Sequence, residues 1–308
     1  MMKSLVTALL FMAAITTDAQ FIYRVSGNGL KKPSYILGTI HLLPGSLLDS
    51  IPAYLKAEAR CRQMYVETDV TNKQQIQELQ TTGLQAMAMP DGKSIFDILS
   101  EDQTELLSRT YQEVMHVNLA DSAARHLWTI VPKGHIQFFE TFFQAMAILQ
   151  HPQLKITSTP MDGVCMERAK ERGMPLGQLD EKPSQDKLDK LHDEWVQDID
   201  AQVDSLVSYL HHIDEHRTSA VKGIEYAAQG IEDWKKGDYD HFDAISLEEV
   251  QKQPSVFRER NEKWLPKMQT AMREMPTMFV FGAGHLVGPH GILQLLRDAG
   301  YKIKQVKK

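Results

Sequence analysis

Two copies of the pattern GxxH lie near opposite ends of this 308-residue chain. The first copy, residues 38–41, ends at His41, and the second, residues 282–285, ends at His285. Each copy follows an apolar run and precedes a turn with glycine and proline, a helix-like stretch and a second β-rich run. Short β-rich runs on either side of a helix are typical of a βαβ unit. The sequence therefore predicts an internal repeat with an equivalent histidine in each copy.

A third βα unit is predicted in the middle of the chain. In the first unit the predicted strands cover residues 34–37 and 63–67. In the last unit they cover residues 278–281 and 301–306, and in the middle unit residues 154–159 and 174–179. The helix between the two strands covers residues 51–62 in the first unit, 292–299 in the last and 161–172 in the middle one. We expect an α/β fold whose sheet core comes from N-terminal, central and C-terminal segments, at about 20–70, 153–181 and 277–306.

The remaining interior reads as helical, because apolar residues recur there every three to four positions. The two helical insertions cover about residues 72–150 and 184–275. A sheet assembled from separated segments with helices over it predicts a single domain over residues 20–308. Side chains just beyond the carboxyl ends of strands are where open α/β sheets place their ligands. The two histidines are therefore the first candidates for chemistry, with both GxxH loops facing one site.

The first 19 residues are typical of a secretory signal. Lys3 precedes an apolar run over residues 5–15, and small residues at 17–19 precede a predicted mature start at Gln20. The apolar run is too short to span a bilayer, and we find no second run near that length. A buried N-terminal helix is the alternative. We expect an exported protein, periplasmic or secreted, without a membrane span after cleavage.

The net charge narrows the classes of possible binding partner. The chain carries 34 basic and 40 acidic residues, a net charge of −6, which gives no electrostatic case for binding nucleic acid or an anionic membrane. A peptide or small-molecule substrate is expected instead.

Cys61 and Cys165 could form one disulfide bridge in an oxidising compartment or remain two buried thiols, and the sequence leaves both alternatives open.

Several blocks of this sequence resemble the TraB/GumN family, which is related to the Tiki proteins and more distantly to erythromycin-esterase-like and ChaN-like proteins. The resemblance spans about residues 21–306. It implies an α/β fold with paired GxxH loops at one site and, through the Tiki branch, a metal-dependent peptidase activity. The chain has Leu179-Asp180-Glu181 where the family commonly has Leu-Glu-Thr, so neither acid is assigned a role. The matching blocks are the two GxxH loops, Glu67, Asp162-Gly163, Trp234 with Gly237-Asp238, Glu259-Arg260-Asn261, Gly291 and Gly300-Tyr301.

His41, Glu67 and His285 are the predicted metal ligands. A right-handed crossover brings His41 and Glu67 to one edge of the sheet, roughly 5 Å apart if their strands are neighbours. His285 joins them if the two repeats face each other. Two imidazoles and a carboxylate leave an open position at which a divalent ion can acidify water and polarise a carbonyl. Zinc, manganese and cobalt all suit this donor set.

Glu67, Arg260 and Asn261 are the candidate catalytic residues. Arg260 would hold a substrate carboxylate or stabilise an oxyanion, with Asn261 as a second donor. The family resemblance singles out these two, since residues 258–263 are strongly charged and otherwise typical of a solvated helix face.

A second metal motif competes with the GxxH pair. Residues 212–216 have the HxxEH form, which would put His212 and His216 on one face of a helix. The surrounding helix is rich in acidic residues, and its buried stripe is already defined by Val203, Leu206 and Leu210. We therefore predict that both histidines are surface residues.

Three classes of function remain open from the sequence. The first is an exported metal-dependent hydrolase, a peptidase or amidase. The second is a metal-free, esterase-like hydrolase in which a histidine paired with a glutamate activates water or an alcohol. The third is a non-enzymatic protein that binds a metal or haem through exposed histidines.

Overall fold

The structure is a computed structural model that describes residues 21–152, 154, 159–181 and 185–306. The predicted signal peptide, the mature start at Gln20 and most of the strand predicted at 154–159 lie outside the described residues. Export and a single domain over residues 20–308 remain predictions from the sequence.

A six-stranded mixed sheet forms the centre of the molecule, with strand order β4-β3-β5-β2-β1-β6. Strands β2 to β5 are paired in parallel, whereas β1 pairs antiparallel with both β2 and β6. The predicted α/β fold with strands from the N-terminal, central and C-terminal segments is confirmed. The strands are β1 (Ile22–Gly27), β2 (Ser34–Thr39), β3 (Gln63–Val66), β4 (Leu176–Gln178), β5 (Thr277–Gly282) and β6 (Tyr301–Gln305).

The two repeats interleave in the sheet. Strands β2 and β3 of the first repeat are not neighbours, because β5 of the second repeat lies between them and pairs with both. The condition for the short separation of the two strand ends, that β2 and β3 be neighbours, is therefore not met. All six residues of β2 are buried, as expected for a parallel strand covered on both faces. Interleaving gives β2 and β5 this central position.

The helices cover the sheet and extend beyond it. The predicted helices of the three βα units are present as α1, α6 and α12, and α1 is shorter than predicted. None of the described helices is long and apolar enough to cross a membrane. They are α1 (Pro52–Glu58), α2 (Lys73–Ala86), α3 (Glu101–Met115), α4 (Arg125–Trp128), α5 (Pro132–Gln150), α6 (Met161–Glu171), α7 (Gln185–Trp195), α8 (Ile199–His211), α9 (Ile213–Lys236), α10 (Tyr239–Lys252), α11 (Arg258–Glu274) and α12 (Ile292–Asp298).

Buried apolar side chains form two clusters. The larger one surrounds the sheet and includes Phe279 and Trp264. The smaller one lies among α3, α4, α5 and α8 and includes Phe139. Cys61 and Cys165 are separate buried thiols of the sheet cluster, so the second of the two cysteine alternatives describes the structure. Helix α5 connects the two clusters by packing against both α8 and α9.

Candidate functional site

The three predicted metal ligands meet at the carboxyl ends of β2, β3 and β5. His41 follows β2 by two residues, Glu67 follows β3 directly, and His285 lies in a single helical turn after β5. They surround Gly282: a methyl group there would lie 3.4 Å from Glu67 Oε1, 3.5 Å from His41 Nε2 and 4.0 Å from His285 Cδ2. The Gly282 N–H donates to Glu67 Oε1 at 2.7 Å. The interleaved strands thus bring residues from both ends of the chain together.

Arg260 extends from α11 into this group. Its Nη2 lies 2.5 Å from Glu67 Oε2, and its Nη1 donates to His285 Nε2 at 3.2 Å. Glu67 Oε2 and His285 Nε2 are 3.7 Å apart. The structure therefore places Arg260 against two of the three predicted ligands.

Asn261 fixes the orientation and tautomer of His285. Its Nδ2 donates to the carbonyl oxygens of His285 and His290, at 3.1 and 2.9 Å, so its Oδ1 is the atom that faces His285 Nδ1 at 2.7 Å. Because an amide oxygen can only accept, Nδ1 must be the donor. The lone pair of His285 is then on Nε2, the atom that faces Glu67 and Arg260.

His285 remains neutral because it is buried. Burial lowers its pKa to about 2, and the positive charges of Arg260 and His41 act in the same direction. The rings of Trp264 and Phe257 pack against it, with centroids 4.3 and 5.2 Å away. A neutral imidazole is the form that binds metals or accepts hydrogen bonds.

Asp162 holds His41, a contact that sequence reasoning missed. Asp162 is the second residue of α6, and its Oδ2 lies 2.5 Å from His41 Nδ1. This hydrogen bond raises the pKa of His41. The Asp162-Gly163 block at the start of a predicted helix was visible in the sequence, but its distance along the chain from His41 gave no sign of the pairing.

Asp180 anchors Arg260 in the same manner. Its carboxylate accepts from Arg260 Nε at 3.1 Å and Nη2 at 2.7 Å, from Trp264 Nε1 at 2.9 Å and from Thr68 Oγ1 at 3.2 Å. Burial by itself would lower the pKa of Arg260, but its bonds to Asp180 and the charge of Glu67 raise it overall. Arg260 also lies over the Trp264 ring, 4.6 Å from its centroid. The guanidinium is thus held in a fixed plane.

The types of donor atom at this site, two imidazole nitrogens and a carboxylate, suit a divalent metal ion. His41 and His285 each have Nδ1 held by an oxygen, the arrangement that leaves Nε2 available to a metal and fixes the ring. Within the described part of the chain, however, no three His, Cys, Asp or Glu side chains already lie close enough together to hold an ion. Arg260 contacts Glu67 and His285 at the positions where an ion would contact them.

The HxxEH motif lies elsewhere, and its histidines have local partners. His212 falls at the junction of α8 and α9, and its Nδ1 is 2.8 Å from the Ser208 carbonyl oxygen. The His216 ring stacks on Tyr209 at 3.8 Å. Val203, Leu206 and Leu210 are buried as predicted.

The molecule is an α/β protein whose site is built from two GxxH loops at the carboxyl edge of an interleaved sheet. The chain belongs to the TraB/PrgY/gumN family, whose model matches residues 21–305. That match includes both loops and all six strands described above.

One curated relative is the metalloprotease TIKI2 of Danio rerio, which is 24% identical over 329 aligned residues. The alignment covers 92% of this chain and 60% of that protein, so the chain spans less than two thirds of the relative's length. No solved structure matches the chain.

Proposed function

We propose that this protein is an exported metal-dependent hydrolase, acting as a peptidase or amidase. The observation that carries the proposal is the convergence of His41, Glu67 and His285 around Gly282, with the Nδ1 atom of each imidazole held by an oxygen. Two oriented imidazoles and a carboxylate are a donor set of metal-dependent hydrolases. The similarity to a metalloprotease supports the same chemistry.

His41 and His285 would hold the ion through Nε2, and Glu67 through its carboxylate; zinc, manganese and cobalt all suit these atoms. The bound ion would supply an acidified water and polarise the scissile carbonyl. Asp162 and Asn261 keep the two rings in place. Asn261 is buried and its amide is fully engaged, so we assign it to positioning His285 rather than to contacting substrate.

Arg260 would stabilise the negative charge that develops on substrate. Asp180 holds two of its three nitrogens, Nε and Nη2, so the guanidinium can release Glu67 and His285 without leaving the site. A fixed cation beside a developing oxyanion stabilises the transition state without reorganisation during the reaction. The same group can bind a substrate carboxylate through two parallel hydrogen bonds.

Metal content and hydrolysis test this proposal together. Purified protein is analysed for bound elements, then incubated with a broad library of peptides and esters, with and without a chelator. We expect a stoichiometric divalent metal and peptide hydrolysis that stops with chelator and returns when the metal is restored. Full activity in metal-depleted protein would contradict the proposal.

The pair of His41 and Asp162 favours a second candidate, a metal-free hydrolase. A histidine held by a carboxylate, with an exposed ring, is a suitable general base for activating water or an alcohol. The carboxylate that contacts His41 Nδ1 is Asp162, whereas the sequence had suggested a pair with a glutamate. Ester hydrolysis that survives chelation and is lost in His41→Ala would favour this candidate.

A further inference from the structure

A cleft of about 540 Å³ leads to Arg260 from the side of α2, α7 and α11. Asp180 and Arg260 are among its lining residues, and Arg260 contacts Glu67 at 2.5 Å. The volume is within the range of about 300 to 1,000 Å³ that is typical of ligand pockets. The cleft therefore borders Arg260, a candidate catalytic group, and is large enough for several atoms of substrate.

One wall of the cleft carries a row of cations. Arg260, Lys263 and Lys267 are spaced by three and four residues, so they share one face of α11, and all three line the cleft. Asp180 and Glu67 pair with Arg260. Lys267 donates to the Leu179 carbonyl oxygen at 2.8 Å and lies 3.4 Å from Glu181.

Lys263 differs from its two neighbours in the row. Its side chain is exposed at the cleft, and among the described residues no carboxylate lies within 4 Å of its ammonium. Glu259, which also lines the cleft, precedes Lys263 by four residues and so lies on the same side of α11, but their charged groups are more than 4 Å apart in the described structure. Lys263 is therefore a cation placed to meet a negative group on a ligand.

The opposite wall is partly apolar. Leu79 of α2 and Leu188 of α7 line the cleft, with the carboxylate of Glu78 beside Leu79, and 38% of the Leu79 surface is exposed to solvent. Trp264 contributes to the floor beside Arg260. A ligand that crosses the cleft would contact an apolar surface and a cation on facing walls.

We propose that this cleft binds an extended peptide segment of the substrate in which an acidic residue pairs with Lys263 and an apolar residue packs on Leu79 and Leu188. The assignment rests on the proposed function and gives its substrate class: peptides with an acidic residue close to an apolar one. The bond to be cleaved would lie beyond Arg260, next to Glu67.

Binding can be measured separately from hydrolysis with three fluorescein-labelled pentapeptides. They share the sequence Ala-Ala-Leu-X-Ala, with aspartate, asparagine or lysine at X. Fluorescence anisotropy gives the affinity of the full mature protein for each peptide, and mass spectrometry checks that the probe remains intact. We expect the aspartate peptide to bind most tightly, because an opposite charge at an exposed site adds a modest attraction and a like charge opposes binding.

Charge reversal at Lys263 tests the pairing. Lys263→Glu should weaken binding of the aspartate peptide about three- to tenfold and reverse the order of the aspartate and lysine peptides. The matched control is Lys222→Glu, the same change at an exposed lysine of α9 that does not line this cleft. Equal effects of the two variants would overturn the assignment of Lys263.

A bulky label tests whether the peptide occupies the cleft, and it leaves the charged residues of α11 unchanged. Cys61 and Cys165 are buried, and burial raises the pKa of both thiols, so an added surface cysteine is the one expected to react. A maleimide label on Thr82→Cys, inside the cleft, should abolish peptide binding, whereas the same label on Thr218→Cys of α9 should not.

The outcomes separate the two proposals. Peptide binding that depends on Lys263 and the open cleft, without hydrolysis by metal-loaded protein, would overturn the proposed function and support the cleft. Hydrolysis that is unaffected by Lys263→Glu and by the label at position 82 would support the proposed function and overturn the inference about the cleft. Failure of all three peptides to bind, or tightest binding of the lysine peptide to unmodified protein, would overturn the inference about the cleft.

Discussion

Histidines at the sheet edge and histidines in the helical region are used differently in this molecule. His41 and His285 are far apart in sequence, yet their rings lie around one glycine. His212 and His216 are four residues apart, yet one ring bonds a local carbonyl and the other stacks on Tyr209. Spacing within a helix was therefore a poorer guide to a shared site than equivalent positions after two parallel strands.

The strongest test of this comparison is removal of the sheet-edge histidines. Removing a group that only orients a ligand costs about 10- to 100-fold in metal affinity or activity, so His41→Ala or His285→Ala should each cost more than about 100-fold. The double variant should be no worse than either single one, because residues that act as one unit fail together. Calorimetric metal titration and peptide hydrolysis measure both effects.

The control for this test is the double variant His212→Ala and His216→Ala, which should retain metal and activity. Loss of metal in that variant would transfer the site to the HxxEH motif. Retention of metal and rate in His285→Ala, with loss of both in His41→Ala, would mean that the two loops do not share a site. Circular dichroism of each variant shows whether the fold persists.

A smaller effect is expected from the carboxylate behind His41. Asp162→Ala should reduce metal affinity about 10- to 100-fold, because the ring loses its fixed orientation and tautomer. Asp233 is the matched control, since it holds His241 Nδ1 at 2.8 Å in the helical part of the molecule. Asp233→Ala should leave metal affinity unchanged even where it lowers the melting temperature. Equal loss of affinity in both variants would show a general effect of stability.

The helical region should respond to acid through His135, which is fully buried and hydrogen-bonded to Tyr111 at 2.8 Å. Burial lowers its pKa to about 4, whereas an unfolded histidine titrates near 6.5. Between these values the unfolded chain binds a proton that the folded chain does not. The contribution of His135 to stability is thus complete above about pH 6.5 and decreases by about 3 kcal/mol as the pH falls towards 4.

Urea unfolding of the parent protein and of His135→Phe, measured from pH 7.5 to 4.5, checks this expectation. The variant should lose less stability than the parent over that interval, although the broken bond to Tyr111 adds a difference that is constant with pH. Parallel pH dependences for the two proteins would contradict it.

The smallest effect is expected at His216. His216→Ala removes the stacked contact with Tyr209 and should lower the free energy of unfolding by about 0.5–1.5 kcal/mol, with unchanged metal affinity. Chemical denaturation at pH 7.5 measures the change. A loss of metal affinity would place this ring in the site and undo the distinction between the two regions.

Local patterns in the sequence predicted much of the fold. The GxxH loops follow β2 and β5 as expected, and short turns and apolar periodicity indicated α6, α12 and β6. Strand β1 was missed because Arg24 and Ser26 interrupt its apolar pattern, although Asn28-Gly29 at its end is a recognised hairpin signal. Both residues have positive φ, 44° and 76°, as such a turn requires.

The contacts that complete the site were beyond sequence reasoning. Neither the position of β5 between β2 and β3 nor the carboxylates that hold His41 and Arg260 follow from spacing, because each depends on how distant segments pack. Asp162 was noted as part of a family block but had no partner to suggest its role. Asp180 was left without a role because the chain departs there from the family pattern.

The interleaving of β2 and β5 also has a consequence for biogenesis. Ser34, at the start of β2, and Thr277, at the start of β5, are 243 residues apart and joined by a hydrogen bond. A growing chain cannot complete the central sheet until β5 has emerged, and it cannot assemble His41, Glu67 and His285 until residue 285 has followed. Closing so long a loop is slow compared with local helix formation. The proposed hydrolytic activity would therefore appear late and all at once, only after the C-terminal segment has folded.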